Sequence, residues 1–141
     1  MMSQAEPFRF KVRIRFIDTD ASGRIHYTAM FRYFESAEIE FMRTLDISYI
    51  RTDYAFPRVH VECDFMLPIV HDDLVEIEVR LTKLGRSSIR LEFQTLKGDV
   101  LAAKGSVVIA CMDRTTQRAI SIPDELRGKL TPALSPGASS L

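Results

Sequence analysis

Long apolar runs are missing from this chain. Nothing in it approaches the roughly 20 consecutive apolar residues that a helix needs to span a bilayer, so no membrane-spanning segment and no membrane partner are expected. The opening residues, MMSQAEPF, hold neither a basic stretch nor an apolar one, and a secretory leader is not expected either. Cysteine is scarce: Cys63 and Cys111 match no metal-ligand spacing and cannot build a disulfide framework. Both sit inside strand-like runs, where reduced, buried thiols of a cytoplasmic protein are the expected form. An excess of charge is also lacking, with 19 basic and 19 acidic side chains, which argues against nucleic acid or an anionic membrane surface as the main partner. No G-x-S-x-G elbow surrounds Ser22, so it is not read as a serine-hydrolase nucleophile. No internal repeat and no linker long enough to mark a second domain is present.

What is present suits one soluble domain. The 141 residues are 46% hydrophobic and 27% charged, enough apolar material for a single core. Residues 1–7 read as a loose tail, 8–130 as one domain, and the Pro/Ser/Gly-rich 131–141 as a flexible tail. From Phe8 to Phe16 apolar and basic residues alternate strictly, which predicts a half-buried strand. Four more strand-like runs follow at Arg58–Leu67, Asp73–Leu84, Ser88–Leu96 and Val100–Met112, with turns between them and a tight hairpin at Lys97–Asp99. Pro123-Asp124-Glu125 resembles a short helix start. Short connections imply mainly antiparallel pairing, and a small open sheet leaves edges that dimerisation commonly covers.

The stretch Ile17–Met42 carries the chemistry. It holds two carboxylates (Asp18, Asp20), a glycine turn at Gly23, the pair His26-Tyr27, and then an apolar run whose period changes from two to 3.6. Met30, Phe34, Ala37, Phe41 and Leu45 fall on one stripe of a helix predicted over Tyr27–Leu45, flanked by Phe31 and Met42, while Glu35, Glu38, Glu40 and Arg43 supply polar surface. A helix start offers unpaired N–H groups and the positive end of a dipole. A carboxylate beside such an end suits chemistry on a carbonyl, whose developing oxyanion those N–H groups can receive. Asp20 is open to two readings, a catalytic carboxylate or an Asx-turn or helix cap. Asp18 fits holding the loop or lying near Asp20 as a second charge. His26 fits substrate contact, orientation of Asp20, or a cap on the turn. His60, Glu62 and Asp64 share a strand face, but three ligands at i, i+2 and i+4 on a flat strand converge poorly on one ion, so no metal site is expected.

The run from Val12 to Gly23, followed by Tyr27 and Phe31-Arg32-Tyr33-Phe34-Glu35, resembles the 4-hydroxybenzoyl-CoA thioesterase-like family of hotdog proteins. Gly85-Arg86-Ser87-Ser88, opening a strand after a long alternating one, matches the layout of that family. The resemblance covers residues 8–125 and implies an α+β hotdog fold, in which a curved antiparallel sheet wraps one long central helix. It implies hydrolysis of acyl-CoA or acyl-carrier thioesters at sites between subunits of a homodimer or homotetramer. It implies no metal and no bound cofactor, since CoA is part of the substrate.

By the same resemblance Asp20 acts as nucleophile or as general base for water, and the backbone N–H of Tyr27 polarises the thioester carbonyl. Arg86, Ser87 and Ser88 contact the phosphate and pantetheine parts of CoA, for which an arginine fork and hydroxyls are suited. Met30, Phe31 and Phe34 flank the acyl chain. The family often shows tyrosine, tryptophan or asparagine where this chain has His26. Two alternatives stand beside the thioesterase expectation: a non-catalytic acyl-CoA-binding hotdog protein, and an enoyl-CoA hydratase or dehydratase of the same fold. The second lacks its expected D-x-x-x-x-H arrangement, because Asp20 and His26 are six apart.

Overall fold

The computed structural model describes residues 6–51 and 53–140. Residues 1–5 of the expected N-terminal tail lie outside the described residues. Alternation sets the sheet: β1 (Phe8–Arg13), β3 (Arg58–Phe65), β4 (Leu74–Leu84), β5 (Ser88–Lys97) and β6 (Val100–Ala110) pair antiparallel in the order β1-β4-β5-β6-β3. β2 (Tyr54–Ala55) and β7 (Met112–Asp113) form a separate short pair. Inward positions are the expected ones: Val75, Ile77, Val79 and Leu81 of β4 and Ile89, Leu91 and Phe93 of β5 are buried. β5 and β6 meet in a two-residue turn, where Lys97 pairs with Val100 and Gly98 takes φ +61°, a value that glycine adopts without strain.

The amphipathic stretch after the glycine turn forms α1 (Ala29–Thr44), starting two residues later than the sequence pattern predicts and modest in length at 16 residues. It ends where Asp46 turns to φ +58° and the Ile47 amide reaches back to the Met42 carbonyl. Its buried stripe is Ala29, Met30, Tyr33, Phe34, Ala37, Phe41 and Met42, joined by Glu38. Phe34 stacks on Phe93 of β5 with ring centroids 4.6 Å apart, and Phe8 of β1 meets Phe41 edge-on at 5.8 Å. Gly105 of β6 makes room for Phe34, because a Cβ there would stand 2.6 Å from the ring. Burial of each such aromatic contributes on the order of 2–3 kcal/mol, which is what holds the helix to the sheet.

Two features depart from expectation. Glu38, placed among the polar surface by its residue type, is buried and ion-paired with Arg58 of β3. Burial raises its proton affinity while Arg58 opposes that. The guanidinium of Arg58 also lies 5.0 Å over the Tyr49 ring. The second departure is the expected loose C-terminal tail. After α2 (Asp124–Leu130), residues Thr131–Ala133 make a 3-10 turn and β8 (Leu134–Ser140) runs parallel to β4. β1 occupies Leu74–Val79 of the β4 edge and stops, which leaves the edge from Leu81 to Leu84 open for β8. Backbone groups on a bare strand edge need partners, and composition alone does not register that demand.

β3 remains an open edge of the sheet among the described residues. Val59, Val61 and Phe65 along it are 61%, 45% and 45% exposed. This is the apolar edge of the molecule.

Candidate active site

The loop between β1 and α1 is tied down at both ends. A 3-10 turn at Phe16–Asp18 closes when the Thr19 amide donates to the Phe16 carbonyl. The Asp20 amide donates to the Arg24 carbonyl at 2.8 Å, and the Ile25 amide to the Ile69 carbonyl at 2.7 Å. The loop is thereby strapped onto the segment that leads from β3 into β4. Gly23 turns at φ +82°, as its position in the motif requires.

Asp20 sits exposed on this loop. Its Oδ1 accepts from the Ser22 amide at 2.8 Å and from the Ser22 hydroxyl at 2.6 Å, so the Asx-turn reading of the sequence is realised. Oδ2 makes no hydrogen bond of ordinary length among the described residues, and the Arg24 amide adds to what favours the charged carboxylate. The Ser22 hydroxyl, then the Ser22 amide, hold the Asp20 carboxyl below its ordinary range, so it is ionised at neutral pH.

Asp18 is buried and occupied. Its carboxylate is ion-paired with Arg32 and accepts from the Tyr33 hydroxyl at 2.6 Å. The Tyr33 hydrogen bond, aided by Arg32, lowers its proton affinity against the opposing effect of burial. Its backbone carbonyl accepts from the His26 amide at 2.8 Å. Asp18 therefore holds the loop, as one of its two expected roles required, through side chains of α1 rather than through backbone donors.

His26 caps the turn. Its Nδ1 accepts from the Thr28 amide at 3.2 Å and lies 2.7 Å from the Thr28 hydroxyl. Its ring stacks on Tyr27 at 4.8 Å. The next amide, that of Tyr27, donates to no acceptor among the described residues. It stands just ahead of α1, where the helix dipole is positive.

Asp20 and Tyr27 line the same open groove, of about 300 Å³, with Arg24, Ile25 and the segment Phe65–Ile69. Met66 and Leu67 are 43% and 37% exposed on its wall. The Lys97 ammonium binds the Pro68 carbonyl at 3.0 Å and Asp73 at 2.9 Å, fixing that wall to the end of β5. Sequence reasoning did not single out Arg24 or Phe65–Ile69. The available signal was the apolar run Phe65-Met66-Leu67 breaking the alternation of β3 just before Pro68.

Other expected residues lie elsewhere. Met30 and Phe34 are buried in the core, where Phe34 stacks on Phe93, and neither lines the groove that holds Asp20 and Tyr27. Phe31 is half-buried and meets Phe34 edge-on. Arg86, Ser87 and Ser88 stand at the turn between β4 and β5, and Arg86 donates to the Ser121 hydroxyl at 2.8 Å. Asp20 lies near the start of β4 and this turn at its end, separated by roughly 30 Å at about 3.3 Å per strand residue. One chain does not bring the two together. On the outer sheet face His60 and Glu62 pair at 3.3 Å, and Ser106 donates to Glu62 at 3.0 Å. Among the described residues no group of three His, Cys, Asp or Glu is arranged to hold a metal ion.

Residues 14–130 match the model of the thioesterase-like superfamily. A putative esterase of Aquifex aeolicus is 32% identical over 123 residues, covering 85% of this chain and 94% of its own. The acyl-CoA thioesterase YbgC of Haemophilus influenzae is 26% identical over 124 residues, covering 85% and 91%. Among solved structures, a protein of Aquifex aeolicus superimposes with a TM-score of 0.82 at 28% identity, covering 88% of this chain and 99% of that one.

Proposed function

This chain belongs to the thioesterase-like superfamily, and from that premise we propose that it is a thioester hydrolase acting on an acyl-CoA or acyl-carrier thioester in the cytoplasm. Residues 8–130 form the body of its single hotdog domain, with α1 as the central helix and β8 extending the sheet along β4. The observation that supports the reading is that Asp20 and Tyr27 line one open groove at the entrance of α1, and that the Tyr27 amide has no acceptor among the described residues.

The carbonyl oxygen of the substrate accepts from the Tyr27 N–H. Asp20 either attacks the carbonyl carbon or takes a proton from an attacking water. Negative charge collects on the carbonyl oxygen, where the amide and the dipole of α1 stabilise it. The C–S bond then breaks and the thiolate leaves. On the water path the acid forms directly. On the nucleophilic path the acyl–Asp20 anhydride is cleaved by a water in a second step that frees the acid and the carboxylate. His26 sets the backbone of the turn from which that amide projects. The acyl group lies against Phe65–Ile69 and Ile25 rather than against Met30 and Phe34. No metal and no bound cofactor takes part.

A homodimer through the open edge of β3 completes the site. Arg58 pairs with Ile109 and Ser88 with Ala110, so the turn at 86–88 shares one end of the sheet with the start of β3. Phe65 and the Asp20 groove share the other end. Antiparallel pairing of two β3 strands about a two-fold axis brings the end bearing Arg86, Ser87 and Ser88 of one subunit toward the groove of the other. Charged and apolar contacts with CoA then come from different chains.

Thiol release from short, long and aromatic acyl-CoAs tests this, with wild type beside Asp20→Asn. Rapid release by wild type and a loss of about a hundredfold in the folded variant is expected, the scale of one positioned acid–base or nucleophilic group. Equal rates would remove Asp20 from the mechanism. Tight acyl-CoA binding without any release would show a binding module.

A further inference from the structure

We propose that Tyr33, with Arg32, is a positioning residue for the reaction, acting through Asp18 to hold the Tyr27 amide and Asp20 in register; the proposal rests on the thioesterase reading above. Tyr33 is 5% exposed and belongs to the second turn of α1, yet its hydroxyl makes no contact within that helix. It accepts from the Arg15 amide at 2.9 Å, just beyond β1, and donates to Asp18 at 2.6 Å. Arg32, one residue earlier and largely exposed, binds the other oxygen of the same carboxylate. Asp18 in turn receives the His26 amide on its backbone carbonyl.

These links make a closed mechanical circuit. It runs from α1 out to the loop at Arg15 and Asp18, across to His26, and back into the first turn of α1, where the Ala29 amide donates to the His26 carbonyl at 2.8 Å. Tyr27 lies inside this circuit and Asp20 lies on the loop two residues past Asp18. Neither reactive group is itself fixed by a bond from the helix. Their separation is set by where Asp18 sits. A buried carboxylate is costly without partners. Here its two partners come from adjacent residues of one helix, so the loop has one low-energy position relative to the helix start. Misplacing a reactive group by about 1 Å costs on the order of a hundredfold in rate.

The test compares Tyr33→Phe, Arg32→Gln and Asp18→Asn with wild type, measuring kcat and KM for acyl-CoA well below each melting temperature. His26 amide hydrogen exchange is followed in parallel by NMR. Tyr33→Phe removes one acceptor and one donor and is expected to lower kcat ten- to a hundredfold, with KM within about threefold. Arg32→Gln, on an exposed side chain, keeps the fold intact and is expected to lower kcat several-fold. Asp18→Asn, which still accepts from Tyr33, is expected to retain more activity than Asp18→Ala. In each impaired variant the His26 amide exchanges faster. A lower melting temperature with unchanged kcat would make the network merely structural and overturn the proposal, as would unchanged His26 exchange. If wild type releases no thiol, the thioesterase reading fails first, and the positioning role falls with it.

Discussion

Replacing Gly105 by alanine tests whether the contact between α1 and the sheet is as tight as the geometry requires. Gly105 does not occupy a left-handed conformation, so alanine meets no backbone strain there and the obstacle is space alone. The added Cβ would stand 2.5 Å from the Glu62 carbonyl oxygen and 2.6 Å from Cε2 of Phe34. The carbonyl belongs to β3, and shifting it disturbs the strand pairing of β6 with β3. The ring is pinned between Phe93 and Phe31. Overpacking of this kind costs about 1–3 kcal/mol, and the entropy that alanine removes from the unfolded chain returns up to about 1 kcal/mol. With both neighbours held, we expect a net loss of about 2 kcal/mol and a melting temperature lower by about 5–8 °C. Urea unfolding gives the number, with an unchanged slope showing that stability rather than compactness has moved. Gly128 is the internal control. It lies within α2 with nothing inside 4 Å of its added Cβ. Gly128→Ala should stabilise by about 0.5–1 kcal/mol. Adding Phe34→Leu should recover part of the Gly105→Ala loss through direct coupling. A Gly105→Ala protein as stable as wild type would refute the packing argument.

Three other outcomes follow from particular contacts. Ser22→Ala removes the largest influence holding the Asp20 carboxyl low, so that group titrates at higher pH. Activity that requires the carboxylate should then fall away earlier on acidification than in wild type, and an unmoved acid limb of kcat/KM would count against Asp20 as the ionised group. Arg58→Ala leaves the buried Glu38 without its cation and should cost about 3 kcal/mol at neutral pH. Burial already raises the Glu38 pKa, so the deficit should shrink as pH falls and the carboxyl protonates, and Glu38→Gln in the same background should restore part of it. Val59→Lys with Val61→Lys places charge on the open β3 edge. Sedimentation should report monomers and thiol release should fall, whereas an intact active dimer would place the interface elsewhere.

β1, β4 and β5 were legible because each has one wetter and one drier face, and a period of two survives in the residue order. The apolar stripe of α1 was legible for the same reason at a period of 3.6. Glu38 was misread because residue type was taken as position: it lies on the buried stripe, and the cation that permits this, Arg58, is 20 residues away in sequence. β8 was missed because its Ser, Pro and Gly content describes a chain without its own core, while the pairing is dictated by the vacancy that β1 leaves on β4. At the site, Asp20, Tyr27 and their helix were visible as a local motif. The groove wall at Phe65–Ile69 was not, since its approach to Asp20 depends on the pairing of Ile25 with Ile69. Tyr33 read as one aromatic among many, because its distinguishing feature is a hydroxyl aimed back at Asp18.

The shared edge of β4 has a consequence for how force and heat pass through the molecule. β1 and β8 come from opposite ends of the chain and grip successive halves of one strand. β4 is thus a common rail, and the reactive loop hangs from the β1 half of it. A pull that strips β8 need not loosen that loop, whereas a pull that strips β1 takes Arg15 and Asp18 with it. The two ends of the chain are independent handles on one element, and only one of them works the site.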